Sequence, residues 1–442
     1  MKKVFAITTA LVLQGLSLSA QSSVFNPDNG FTNPATAAGA SAGKTMQQSM
    51  IWSPSAPAAQ QAYVAFRKSF PLSDSPKAAK LHIFVDSRYV LWVNGRYVLR
   101  GPCRFNPKRP EYDTVNIASY LRKGSNTIAV LAHNYYGVVN GRIMSHAPGF
   151  TALLDVPDRE AIVTDATWRC NSHTRYLPSP GAWSSIPDII EARVEDGSWI
   201  DADYDDSAWE QAVAVDGKRW GPLHPRQIPL PVETEVKNPR LMPSGKPLSE
   251  QMPVELKSGG EIVLDLGGMA MSYADVVLDA DPGSVLHITY ALRYVDGHPE
   301  EGYGGGATYT ARGGRQSFMT GDMWGGRYVT VRCDSGRVTL RDFKAIDRRY
   351  PFTRIGAFKC SDDILNQLWE NAVYTVETVS DDGYGSDARE RDEWLQDPAQ
   401  PNFTTTRVAL AGPGENGRPV YSDPRLLKNL LRHAALTQRP DG

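Results

Sequence analysis

The apolar residues of this chain change their spacing once, near residue 361, and that change limits the fold more than any other feature. Before it, short runs alternate apolar and polar side chains, as a half-buried strand requires. After it, apolar residues recur every three or four positions, as one face of a helix requires. Leu81-His-Ile-Phe-Val85, Tyr89-Val-Leu-Trp-Val93 and Asn126-Thr-Ile-Ala-Val-Leu-Ala132 read as strands, the second closed by Asn94-Gly95, a strong hairpin signal. A second group of strands is expected at residues 261–265, 274–278, 285–290, 328–332 and 338–343. Ile364, Leu365, Leu368, Trp369, Ala372, Val376 and Val379 then form a helical stripe, with Ser361 as the expected cap and Asp362 and Asp363 in the first turn. Leu426, Leu427, Leu430, Leu431 and Ala434 form another, behind a cap and a first-position proline at Asp423-Pro424.

Strands followed by helices predict β-sandwich domains first and a helical domain last. At 442 residues the chain is too long for one ordinary core. The expected division is a signal peptide over 1–20, a flexible leader rich in Ala, Gly and Ser over 21–48, a sandwich over 49–230, a second sandwich over 231–355 and a helical region over 356–442. The signal reading rests on Lys2 and Lys3, an apolar run from Val4 to Leu18 and small residues at Ser19-Ala20. It predicts export, to the periplasm or beyond. That run is too short to span a bilayer and no later one is long enough, so no membrane insertion is expected.

The charge balance, 47 basic against 49 acidic residues, is spread along the chain and argues against a grip on nucleic acid or anionic lipid. Cys103, Cys170, Cys333 and Cys360 lack metal-ligand spacing; an oxidising compartment permits disulfides, but buried thiols fit as well. Residues 201–209, Asp-Ala-Asp-Tyr-Asp-Asp-Ser-Ala-Trp, look like a calcium loop but lack its glycine and closing glutamate. A turn packed by Trp209 is expected there. No cofactor and no metal is expected.

The chemistry points to Asp387-Ala-Arg-Glu-Arg-Asp-Glu-Trp-Leu-Gln-Asp397, which lies between the two helical stripes. It holds five acids, two arginines and a tryptophan in eleven residues. Such a cluster can keep one carboxyl protonated beside ionised neighbours, which glycosidic cleavage needs. The bland alternative is a solvated loop with internal salt bridges. Trp369 and Tyr374 read as packing residues, and His133 and His146 as structural ones.

Phe358-Lys-Cys-Ser-Asp-Asp-Ile-Leu-Asn366, Arg389-Glu-Arg-Asp-Glu-Trp-Leu-Gln-Asp397 and Gln438-Arg-Pro-Asp-Gly442 together resemble the α-L-rhamnosidases of glycoside hydrolase family 78. Trp92-Val-Asn-Gly95 and Asp206-Ser-Ala-Trp209 are similar to that family's sandwich domain. The resemblance implies two jelly-roll-like sandwiches followed by the first helices of an (α/α)6 barrel. It implies inverting hydrolysis of terminal α-L-rhamnosides in oligo- or polysaccharides. By this match Glu390 is the general acid, Asp397 a substrate-binding carboxylate and Trp394 an aromatic near the sugar; Asp387 and Arg391, beside them in the cluster, are further candidates to bind substrate. The family's aspartate five residues before the acid is Gly385 here, so a shifted register would make Asp392 the acid; the kept spacing from Glu390 to Asp397 favours Glu390. From Phe358 onward there is room for roughly three or four helices at ordinary lengths. The expectation is therefore a chain truncated inside its barrel, without the general base and inactive. A non-catalytic carbohydrate-binding protein and a glycosidase of another sugar specificity are the alternatives.

Overall fold

The computed structural model describes residues 37–57, 59–135, 146–179, 186–300, 305–385, 399–414 and 417–437. The signal reading over 1–20 lies outside them.

Two mostly antiparallel sheets face each other in the first sandwich. One is built on Ile51–Trp52, Lys80–Asp86, Glu111–Asn116 and Gly149–Asp155, the other on Ala62–Leu72, Arg88–Val93, Arg96–Gly101, Gly124–Asn134 and Arg169–Asn171. The three strands expected from alternation all form. The period of two sorts each strand between two cores. On Ala62–Leu72, Val64 and Phe66 point inward against Leu81, Val130 and Phe150, while Tyr63 and Ala65 point outward to the second sandwich. Asn94 and Gly95 turn the hairpin with φ of 52° and 75°, the left-handed pair that a type I′ turn requires.

In the second sandwich, the runs read as separate strands at 261–265 and 274–278 are two halves of one strand, Glu261–Ala280. Its first half pairs with Trp324–Ser335 and its second with Arg337–Arg349, with a register shift between Asp265 and Ala270. Gly267 sits in that shift at φ 81°, where a side chain would be strained. The bulge lets the strand pass from one layer to the other without breaking. Leu264, Val276, Leu278, Ile288, Val331 and Leu340 fill the space between the layers. Tyr176–Leu177 and Asp188–Glu191, within the stretch assigned to the first sandwich, join this second sheet; the latter runs parallel to Gly306–Thr310.

Part of the expected flexible leader is a helix, α1 (Ala37–Gln48). Alanine favours helix, and Met46 and Met50 plant this one against Tyr112 and Trp220. Gln47 Nε2 donates to the carbonyls of Gly217, Trp220 and Gly221 at 3.1, 3.2 and 3.1 Å.

The 199–209 turn is organised by an arginine. Arg67, 1% exposed, donates to Asp206 Oδ2 at 2.8 Å, to the carbonyl of Asp201 at 2.9 Å and to that of Tyr204 at 3.2 Å, and also to the carbonyl of Trp199. One guanidinium thus gathers the Asp206 carboxylate and three carbonyls of the turn, and Trp209 packs beside Trp199 and Tyr204 as expected. Lysine keeps the charge but not the planar fork. Arg67→Lys is expected to cost about 2 kcal/mol, from the charge-assisted bonds lost, measured as a lower urea midpoint; an unchanged midpoint would contradict this role.

A polar cluster is buried in the seam between the sandwiches. Asp188, 3% exposed, accepts from the amides of Gly321 and Asp322 at 2.8 and 3.3 Å. Burial, with the Asp322 carboxylate nearby, pushes its pKa up to about 7. His133 stacks on Tyr63, with ring centroids 3.8 Å apart, and lies against a tilted Tyr135 at 3.9 Å, and its Nε2 accepts from Gln61 at 2.9 Å. Burial holds its pKa down to about 3, so the ring is neutral and structural, as read from its isolation.

Candidate active site

The helical region meets both sandwiches where the acidic segment begins. Helix α2 (Asp363–Val379) is capped by Asp362, whose side chain accepts from the amides of Ile364 and Leu365, and not by Ser361 as expected. A carboxylate one residue further on reaches both amides and carries the charge that the helix N-terminus favours. Val376 of the expected stripe is buried against Ala409 and Leu410 together with Val373, which the stripe did not include, while Ile364, Leu365, Leu368 and Ala372 are exposed. Tyr374 fastens α2 to the second sandwich, its hydroxyl donating to the Met269 carbonyl at 2.6 Å under the Arg349 guanidinium. A helix not anticipated from sequence, α3 (Ala399–Ala409), packs beside α2, and α4 (Arg425–Thr437) follows, with Asp423 accepting from the Arg425 amide at 3.1 Å. Among the described residues no helix is long and apolar enough to cross a membrane.

Past α2 the chain makes a tight loop over residues 380–385. Two adjacent carboxylates in it, Asp381 and Asp382, are 3% and 0% exposed. Their counter-charge comes from the first sandwich. Arg104 reaches Asp381 Oδ1 with Nη2 at 3.1 Å and Asp382 Oδ1 with Nε at 3.2 Å, and its backbone amide donates to Asp382 Oδ2 at 2.9 Å. Arg88 stands 3.8 Å from Asp382. Around them lie two further buried pairs, Arg226 with Asp113 at 2.6 Å and Arg348 with Glu233 at 3.2 Å. The apolar side of this junction joins Cys103, Ile228, Tyr350, Tyr384 and Leu426. Burial pushes the Tyr384 hydroxyl up to about 12, so it donates, to Thr406 Oγ1 at 3.3 Å.

Asp387, Glu390, Arg391, Asp392, Trp394 and Asp397 all fall in residues 386–398, outside the described residues. What is described is how that segment is entered and left. Gly385, just before it, donates its amide to the Val379 carbonyl at 2.9 Å. Asn402, in the first turns of α3 just after it, donates to the Gly385 carbonyl at 3.2 Å. Gly385 and Asn402, described residues on either side of the acidic stretch, therefore meet at one place, at the end of the loop that carries the buried ion pairs.

Sequence reasoning missed Arg104, Asp381 and Asp382, although a signal was present. Two carboxylates directly after a helix C-terminus have the wrong sign for its dipole, which attracts cations there. Such a pair calls for an external counter-charge. The partner was illegible because Arg104 stands far upstream in a loop of the first sandwich.

A surface cleft on that sandwich, lined by Trp199, Tyr204, Trp209, His173 and Glu195, has the residue types of a sugar site, but its volume is about 20 Å³. That holds roughly one water molecule, whereas ligand pockets run to about 300 Å³ and more.

A model of the α-L-rhamnosidase N-terminal domain matches residues 74–233. The α-L-rhamnosidase of Formosa agariphila is 24% identical over 370 residues, covering 75% of this chain and 36% of the relative. That of Streptomyces avermitilis is 26% identical over 228 residues, covering 48% and 20%. The chain thus spans about a third of the first curated relative's length and a fifth of the second's. Among solved structures, a family 78 rhamnosidase of Bacillus sp. GL1 superposes with a TM-score of 0.71 at 19% identity, over 87% of this chain and 62% of that one. The Streptomyces avermitilis α-L-rhamnosidase complexed with L-rhamnose gives 0.61 at 18%, over 86% and 37%. These superpositions show a shared fold.

Proposed function

The chain belongs to glycoside hydrolase family 78, the α-L-rhamnosidases, and from that premise we propose that it hydrolyses terminal α-L-rhamnosides of oligo- or polysaccharides with inversion at the anomeric carbon. Glu390 serves as the general acid. Asp387, Arg391, Trp394 and Asp397 hold the sugar, the indole against its apolar face. The helices from α2 onward open the catalytic barrel. The observation that supports this reading is the match to the α-L-rhamnosidase N-terminal domain and relatives, together with the meeting of Gly385 and Asn402, which flank the acidic stretch, beside the Arg104 cluster. Inversion requires a second carboxyl on the other face of the scissile bond, at roughly 6.5–9.5 Å from the first. The aromatic cleft at Trp199, Tyr204 and Trp209 encloses room for only about one water and does not carry this reading. The N-terminal segment directs export.

The test uses the protein as its host produces it. Hydrolysis of p-nitrophenyl α-L-rhamnoside followed by proton NMR is expected to release β-L-rhamnose first. The α-anomer appearing first would overturn inversion, and rhamnose binding without turnover would favour a carbohydrate-binding protein. The same preparation is expected to begin at Gln21; an intact Met1 would overturn the export reading.

A further inference from the structure

We propose that Arg104, although it belongs to the first sandwich, is a positioning residue for the reaction: it fixes Asp381 and Asp382, and with them the loop over residues 380–385 from which the acid-bearing segment follows in the chain. The inference rests on the reading of Glu390 as the acid. Its basis is the kind of anchor the loop uses. Residues 380–385 are already held by backbone bonds, from the Tyr350 amide to the Ser380 carbonyl at 2.7 Å and from the Gly385 amide to the Val379 carbonyl at 2.9 Å. Two fully buried carboxylates add nothing to closing that turn, and an apolar plug of similar volume would hold the domains together at least as well. What a bridged pair adds is orientation, because Arg104 donates from Nη2 to Asp381 and from its backbone amide to Asp382, with Nε 3.2 Å from Asp382 Oδ1.

Arg104 is itself immobilised. Cys103 and Phe105 on either side are 1% and 2% exposed and packed in different apolar clusters. Arg348 and Arg226, each paired with its own carboxylate, flank the site and help neutralise Asp382. The helical region touches the same sandwich again at α4, where Lys108 Nζ donates to the Leu436 carbonyl at 2.7 Å and Arg432 stands 3.9 Å from Glu111. The first sandwich therefore brackets the loop over residues 380–385, and Arg104 is its point of attachment.

Two variants test this in the protein as its host produces it. Arg104→Lys keeps the charge and loses the fork. The quadruple variant Arg88→Met, Arg104→Met, Asp381→Asn, Asp382→Asn removes both arginines together with both carboxylates, so that the charges lost balance. Hydrogen–deuterium exchange is read at residues 380–385 and across the strands of the first sandwich, and kcat and KM are measured on p-nitrophenyl α-L-rhamnoside. In both variants, exchange at 380–385 is expected to rise at least about tenfold with the strands unchanged. A displacement near 1 Å should lower kcat by roughly 10- to 100-fold, with KM nearly constant. Unchanged exchange at 380–385 overturns the proposal, as does equal acceleration throughout the sandwich, which would mark a merely structural role. Faster loop exchange with full kcat overturns the link to the acid. If the parent protein does not hydrolyse rhamnosides, the hydrolase reading fails and the exchange data still decide whether Arg104 orders the loop.

Discussion

Glu390→Gln is expected to lower turnover of an alkyl α-L-rhamnoside by about 10²- to 10⁴-fold, the usual contribution of a positioned general acid. Glutamine keeps the shape and can donate a hydrogen bond, but it cannot release a proton to the departing oxygen. The loss should depend on the leaving group. An alkoxide is a poor leaving group and needs the proton in the transition state. A 2,4-dinitrophenolate leaves unaided, so the variant should turn over that substrate within a few-fold of the parent. Rhamnose affinity should change little, because the acid contacts the leaving oxygen more than the sugar. Equal losses on both substrates would mean that Glu390 binds substrate instead of protonating it. Unchanged turnover on both, with loss in Asp392→Asn, would transfer the acid to Asp392, as the shifted register allows.

Asp188→Asn is expected to stabilise the protein above neutrality and to leave it unaffected in acid. The buried carboxyl keeps its proton up to about pH 7 in the folded chain, whereas an unfolded aspartate loses it near pH 3.9. Between those values the folded state binds more protons than the unfolded one, so the stability associated with this group falls as pH rises. At ~1.4 kcal/mol per unit over about three units, roughly 4 kcal/mol is lost by pH 7.5. Asparagine accepts the Gly321 and Asp322 amides without a charge and does not suffer that loss. His133 works in the opposite sense. Its pKa is held down to about 3 in the folded chain and lies near 6.5 in the unfolded one, so stability from this group is gained as pH rises through that interval. The two trends oppose each other between about pH 4 and 6.5, and removing Asp188 should expose the rising one. Urea unfolding of variant and parent at pH 4 and pH 8 measures both effects; a stability difference that is the same at the two values would contradict the role given to Asp188.

Strands were legible wherever alternation ran uninterrupted, as at Lys80–Asp86 and Arg88–Val93 with its Asn94-Gly95 turn. Alternation fails as a guide where a strand bends. The bulge at Gly267 made one strand look like two, because the local period is lost even though the chain stays extended. The leader misled in a different way. Its composition is that of a linker, and α1 holds because Met46, Met50 and Gln47 find partners in the Trp220 region, long after them in the chain. Ser361 was the wrong cap by one residue, since several consecutive residues there can accept a backbone amide and only the loop geometry chooses among them.

The sequence alone determined the passage from sandwiches to helices and the rhamnosidase signature, because hydrophobic period and side-chain chemistry are properties of neighbouring residues. Tertiary structure alone decided that Arg104 faces Asp381 and Asp382, that Arg67 gathers the 199–206 carbonyls, and that Asp188 is sealed in a seam beside His133. A buried charge acquires its partner and its proton affinity from whichever distant segments close over it, and that is settled only when the whole chain has packed.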